Sequence, residues 1–268
     1  MANEKYEFVP GDEKVIAPGR TVKRIRALVA ISYFVAAGDI GGYIESEASL
    51  PVYGDAWVYG DAWVYGNARV YGNARVYGHA QVSGNARVYG NAQVSGNAWV
   101  YGYARVYGDA LVYGDAWVYG DAWVYGNARV YGDAQVSGNA QVSGNAQVYG
   151  DAQVSGNAQV SGNAQVYGNA RVYGDAWVSG NARVYGDAWV YGRGLIVWFT
   201  GVGTGYGTLT VYNTKDNSIE VTRGCFRGSI DEFLAASESK HDETTQLEYR
   251  MLIEVAYSRI TRAQTTKE

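Results

Sequence analysis

The sequence predicts an all-β solenoid, and three observations carry that prediction. Residues 52–192 repeat the unit Val-[Tyr/Ser]-Gly-[Asp/Asn]-Ala-[Trp/Arg/Gln/Leu] through twenty-three Ala-x-Val steps, from Ala56 to Ala188. Within every step Ala and Val stay fixed, while the residue between them and the one after Val vary. In an extended segment alternate side chains point to opposite faces, so the fixed pair is the packed interior and the variable pair faces outward. Gly followed by Asn or Asp then supplies two residues that tolerate φ > 0, which a sharp corner requires. Each hexad is thus one short strand and one corner, and successive hexads coil into a parallel β-solenoid. The hexad alone leaves two or three sides per coil open.

The elements follow in order. Residues 1–51 form an N-terminal cap with strand-like stretches at Lys5–Val9 and Thr21–Leu28, separated by the turn signals "PGDEK" and "GDIGG". Residues 52–192 are the solenoid, and residues 193–268 form a C-terminal cap. In that cap, short β-rich runs (Leu195–Thr200, Thr208–Asn213, Ser218–Thr222) precede helix. Ser229 and Glu232 fit a capping box, and Leu247, Met251 and Val255 recur at helical spacing. Such a cap is expected at a solenoid end, which otherwise exposes apolar core and unpaired strand edges.

The repeat resembles the hexapeptide repeats of left-handed parallel β-helix proteins, and that likeness implies three sides and about 18 residues per coil. The pieces "RIRAL", "GDIGGYIESEASL", the "VYGDA/VSGNA" array and "VTRGCFRGSIDEF" resemble a group of phage and prophage proteins of largely undefined function. The likeness implies a phage context and, for such a protein, the host cytoplasm. It supplies no mechanism. On 18-residue coils at a strand spacing of ~4.8 Å, the array is expected to form a rod roughly 37 Å long.

Three-sided stacking sorts the outward residues into faces. One carries Tyr59, Tyr77, Ser95, Tyr113, Tyr131, Tyr149, Tyr167 and Tyr185. A second carries Trp63, Gln81, Trp99, Trp117, Gln135, Gln153, Arg171 and Trp189, and a third Arg69, Arg87, Arg105, Trp123, Gln141, Gln159 and Trp177. Gln fills six successive outward positions from Gln135 to Gln165, whereas Trp and Arg dominate from Trp57 to Arg129. Exposed aromatic patches mark contact surfaces. The candidate interface is therefore Trp63, Trp99, Tyr101, Trp117, Tyr119 and Trp123, with Arg69, Arg87 and Arg105 beside it. Self-association is the expected contact, a trimer favoured over a dimer. A host protein or a small signalling molecule is the further partner that a phage anti-defence role would imply.

Other chemistries fit poorly. Left-handed β-helix acyltransferases resemble the fold but use a catalytic histidine and loops that interrupt the coils; here nothing interrupts residues 52–192. Acyl transfer at a subunit interface near His79 is the alternative reading, although His79 stands at a corner where histidine tolerates φ > 0. A three-histidine zinc site needs more than the two histidines present. Cys225 with His241 could be drawn as nucleophile and base, but "GCF" between strand and helix reads as packing. "GVGTGYG" lacks the dinucleotide spacing and reads as a mobile loop. Flat threonine arrays of the ice-binding kind are absent from residues 52–192.

Asp115, Asp133 and Asp151 are expected on one corner at successive coils, as tolerated repulsion or as a weak cation site. No cofactor is implied. The array's nine Asp and seven Arg leave a charge too sparse to imitate DNA, and a net charge of −4 argues against nucleic acid. The single cysteine fits a reducing compartment. The start has no secretory core, and Ala27–Gly38 is too short for a bilayer. The chain therefore reads as soluble and intracellular.

Overall fold

The computed structural model describes residues 3–266. They fall into two compact units that divide between Asn139 and Ala140. Both contain solenoid strands of two residues each, paired in parallel with a register of 18 residues. In the N-terminal unit Trp99 pairs with Gln81 and Trp117, Arg105 with Arg87 and Trp123, and Gln93 with Arg75 and Leu111. Three strands thus complete a coil, and the coil has three sides.

The strands are short because a glycine at positive φ turns the chain every six residues, and the hydrogen-bond ladder continues through those corners. Trp99 and Tyr101 donate backbone N–H groups to Ala116 and Val118 at 2.9 and 3.0 Å, and Tyr103 at the following corner donates to Gly120 at 2.8 Å. Inside, every Ala and Val of the Ala-x-Val steps, from Ala56 to Val190, is buried. Burying one valine contributes about 1.5–3 kcal/mol, so the monotonous interior is also the main stabilising term.

The N-terminal unit begins with a hairpin, Tyr6–Ala17 against Arg20–Ala27. The first strand runs through "PGDEK" with a register shift between Phe8 and Glu13, and the reversal falls at Pro18–Gly19. Arg20–Ala27 pairs with Ile40–Ile44, whose Tyr43 and Ile44 pair in parallel with Trp63 and Val64 of the first coil. The glycines of "GDIGG" allow this close approach. A Cβ on Gly42 would lie 2.6 Å from the Ala62 carbonyl oxygen. Arg24 of "RIRAL" fastens the hairpin, donating to Asp12 at 2.9 Å, the Tyr43 hydroxyl at 2.7 Å and the Gly60 carbonyl at 2.9 Å.

The C-terminal unit closes its last coil with a four-stranded antiparallel sheet, Ile196–Val202, Gly207–Asn213, Ile219–Arg223 and Phe226–Ser229. Its side chains take up the coil's backbone groups. Asn213 donates to the Trp189 carbonyl at 2.9 Å, Tyr212 to that of Tyr185 at 3.2 Å, and Thr222 to that of Arg183 at 3.1 Å. Helices α1 (Ile230–Lys240) and α2 (Glu243–Thr265) follow. The capping box at Ser229 and Glu232 forms as its spacing predicts. In α2 the buried face is Tyr249, Ile253, Ala256 and Ile260, whereas Leu247, Met251 and Val255 face solvent. No helix among the described residues is long and apolar enough to cross a membrane.

Candidate functional site

The 18-residue register stacks outward side chains directly over one another, and in the N-terminal unit it stacks two exposed tryptophans. The Trp99 and Trp117 rings stack with centroids 5.3 Å apart and planes within 7°. Beside them Tyr101 and Tyr119 stack at 5.0 Å, and Tyr101 meets Trp117 edge-on at 6.3 Å. These four rings make a contiguous aromatic platform on one face. Trp99 and Trp117 keep 38% and 39% of their surface exposed. Burial, and then the neighbouring Tyr119 phenol, push Tyr101 above the ordinary tyrosine range, so it stays a neutral hydroxyl.

The platform's two edges differ in charge. Past Tyr101 and Tyr119 the chain turns onto the face bearing Arg69, Arg87 and Arg105, which are register neighbours. None of these three forms an ion pair with a carboxylate among the described residues. The Arg105 guanidinium lies 4.9 Å from the centroid of the Trp123 ring, and Asp121 is the single carboxylate at the intervening corner in this unit. Along that face Tyr71, Tyr89, Tyr107 and Tyr125 stack at 4.9 to 5.0 Å. The opposite edge, before Trp99 and Trp117, carries Asp115 and Asp133, both exposed and one coil apart. Asn97 donates its side-chain amide to Asp115 at 2.9 Å. Asp151, the third member of the expected column, belongs to the C-terminal unit. No cluster of three metal-ligating side chains occurs among the described residues.

The residues named from the sequence do not form one patch. Trp99, Tyr101, Trp117 and Tyr119 come together, with Trp123 and Arg105 around the corner. Trp63 is separated from Trp99 by Gln81, and the Lys14 ammonium lies 5.6 Å from its ring centroid. Arg69 leans toward the cap, 3.4 Å from the Ala48 carbonyl oxygen. Trp57, in an outward position, is 0% exposed because the cap covers it, with the Tyr6 ring 6.1 Å away. One platform neighbour was missed. Tyr103 occupies the corner place held elsewhere by Asn, Asp or His79, and it is 62% exposed. Its departure from the corner rule was the available signal.

His79 sits at an exposed corner, its backbone N–H bound to the Gly96 carbonyl at 2.8 Å. No hydrogen bond orients its ring among the described residues. Cys225 corrects an expectation. It is exposed in the turn between two sheet strands and is not packed in the cap interior.

Comparison with known proteins bears on the array. The family model described as YdcK beta solenoid repeat matches residues 68–79, 80–96, 92–105, 104–120, 122–138, 134–150, 140–156, 164–180 and 176–192. No curated protein matches the chain. With the parallel register, the match makes this a β-solenoid repeat protein.

Proposed function

We propose that this β-solenoid repeat protein is a non-catalytic binding scaffold that associates with copies of itself through the aromatic platform of its N-terminal unit. The observation that supports the reading most is the half-exposed Trp99–Trp117 stack beside the Tyr101–Tyr119 stack. Aromatic stacking adds only about 0.5–1.5 kcal/mol per pair within one chain, whereas fully burying a large apolar side chain contributes roughly 1.5–3 kcal/mol. Covering the 38% and 39% of Trp99 and Trp117 still exposed adds a share of that burial on top of the stacking, which the covered face keeps.

The edge charges favour one arrangement. Two copies packed with their solenoid axes parallel set the Asp115 and Asp133 edge of one against the Arg87 and Arg105 edge of the other. Antiparallel packing sets like charges together, which is unfavourable. A twofold pair and a threefold ring both satisfy the parallel rule, and the likeness to left-handed β-helix proteins favours the ring.

The sequence already supplies a neutral replacement, because Gln stands at the equivalent outward position of Gln81 and Gln135. Trp99→Gln combined with Trp117→Gln is expected to keep the β-sheet circular dichroism spectrum and lower the mass measured by light scattering. An unchanged oligomeric mass would remove this surface from the reading.

The likeness to phage and prophage proteins frames the scaffold's role as anti-defence, with a host protein or small signalling molecule as target in the host cytoplasm. Pull-down from host lysate, with mass spectrometry of proteins and small molecules, tests that part. Acyl transfer near His79 is the rival. Product formation from acetyl-CoA that His79→Ala abolishes would replace the binding reading.

A further inference from the structure

Within the C-terminal unit, the sheet, α1 and Tyr249 of α2 line an open pocket of about 290 Å³. Its lining includes Arg223, Lys240 and His241 and no carboxylate. Four rings connect edge to face along it, Phe226 to Phe233 at 5.3 Å, Phe233 to Tyr249 at 5.1 Å and Tyr249 to His241 at 5.6 Å. The Thr204 and Gly205 loop of "GVGTGYG" lines it as well.

Ser237, in this lining, is 4% exposed and its hydroxyl makes no hydrogen bond. Arg223 is held in place by its Nη2, which donates to the Val202 carbonyl at 2.8 Å, while its buried Nε makes no hydrogen bond. A serine inside a helix ordinarily turns back to a carbonyl of the preceding turn, and a buried donor without a partner costs about 1–3 kcal/mol. The unpaired Ser237 hydroxyl, between the charges of Arg223 and Lys240, points to a ligand that accepts from it. The last turn of α1 presents the negative end of its dipole to this pocket, and the Lys240 ammonium in that turn opposes it. His241 N–H donates to the Ser237 carbonyl at 3.0 Å, and the Ser239 hydroxyl to that of Ala236 at 2.9 Å. Glu248, the acid nearest Tyr249 in sequence, accepts from Gly203 N–H at 2.8 Å.

We propose that this pocket binds a small organic anion with a flat apolar body. Ser237, Arg223 and Lys240 take the charged head, and the body lies along the Phe226–Phe233 wall. Ligand pockets of this kind combine apolar walls with a few convergent polar groups.

Cys225 lines the same pocket and is the chain's single cysteine, so its alkylation reports occupancy. The full chain is treated with iodoacetamide, and modification of Cys225 is followed by mass spectrometry with benzoate, benzamide, acetate or inorganic phosphate present. Saturating benzoate is expected to slow alkylation at least about threefold, with benzamide and acetate nearly without effect. Ser237→Ala and Lys240→Gln should each weaken the benzoate protection while circular dichroism stays unchanged. The proposal is overturned if benzamide protects as well as benzoate, if phosphate protects and benzoate does not, if benzoate gives no protection, or if both variants keep full protection.

Discussion

At Gly96 the backbone has φ +67°, and a Cβ would lie 2.8 Å from both the amide nitrogen and the carbonyl oxygen of Gly114. At Gly60 φ is +59°, but the nearest atom to such a Cβ is 3.7 Å away. Left-handed backbone costs a residue other than glycine roughly 1–2 kcal/mol, and a contact shorter than van der Waals range adds to that. Gly60→Ala should therefore destabilise by about 1 kcal/mol and Gly96→Ala by at least about twice as much, read from urea unfolding. Equal losses would show that the corner, and not the neighbouring coil, sets the cost. The Asp115 and Asp133 step allows a second comparison. An asparagine at position 115 can still accept from Asn97 while offering Asp133 a donor, as Asn73 does for Asn91 at 3.1 Å. Asp115→Asn is expected to raise Tm by a few degrees, corresponding to about 0.5–1 kcal/mol, with calcium leaving the wild type unchanged. A Tm that rises with calcium only in the wild type would instead assign a cation to this corner. Residues at this scale were legible where the repeat dictates them. Interior Ala and Val follow from alternation alone. Trp57 and Cys225 did not, because their burial depends on whether a distant segment covers them, and no local pattern records that.

Helices α1 and α2 show the same division among elements. Ser229 and Asp242 cap them by accepting backbone N–H groups from Glu232 and Thr245, local contacts that fixed spacing can encode. The spacing of Leu247, Met251 and Val255 also announces a helix, yet these residues point outward. The helix carries a second apolar stripe at Tyr249, Ile253, Ala256 and Ile260, and packing on the sheet chooses between the two. The caps leave a pH signature. Backbone N–H groups hold Glu232 and Asp242 below the usual carboxylate range, and the Thr214 and then Ser218 hydroxyls draw Asp216 down to about 2. A carboxylate with a folded-state pKa below its unfolded value adds stability that is present above the unfolded pKa. That stability is lost as pH falls toward the folded one. Helical circular dichroism should therefore melt at lower temperature as pH falls from about 4 toward 2, and Asp216→Asn should flatten that decline. Parallel curves for variant and wild type would remove Asp216 from the acid response.

For the whole molecule, the strict repeat makes position along the array as informative as residue type. The sequence placed Trp99 and Trp117 one coil apart once the turn was taken as 18 residues, so the platform was legible. A repeat whose corners look interchangeable hides Tyr103, and Gln81 in the register divides Trp63 from Trp99. The central claim is that a contiguous exposed stack, and not exposed tryptophan as such, holds copies together. Trp177 provides the contrast. It is 45% exposed, more than Trp99 or Trp117, and it pairs in register with Gln159, not with another ring. Sedimentation equilibrium over a range of concentrations, on the wild type, Trp177→Gln and the Trp99→Gln/Trp117→Gln double variant, tests the claim most directly. The account predicts the same oligomer for the wild type and Trp177→Gln, and a monomer for the double variant at concentrations where the others assemble. A monomeric wild type, or dissociation by Trp177→Gln with the double variant still assembled, would contradict it.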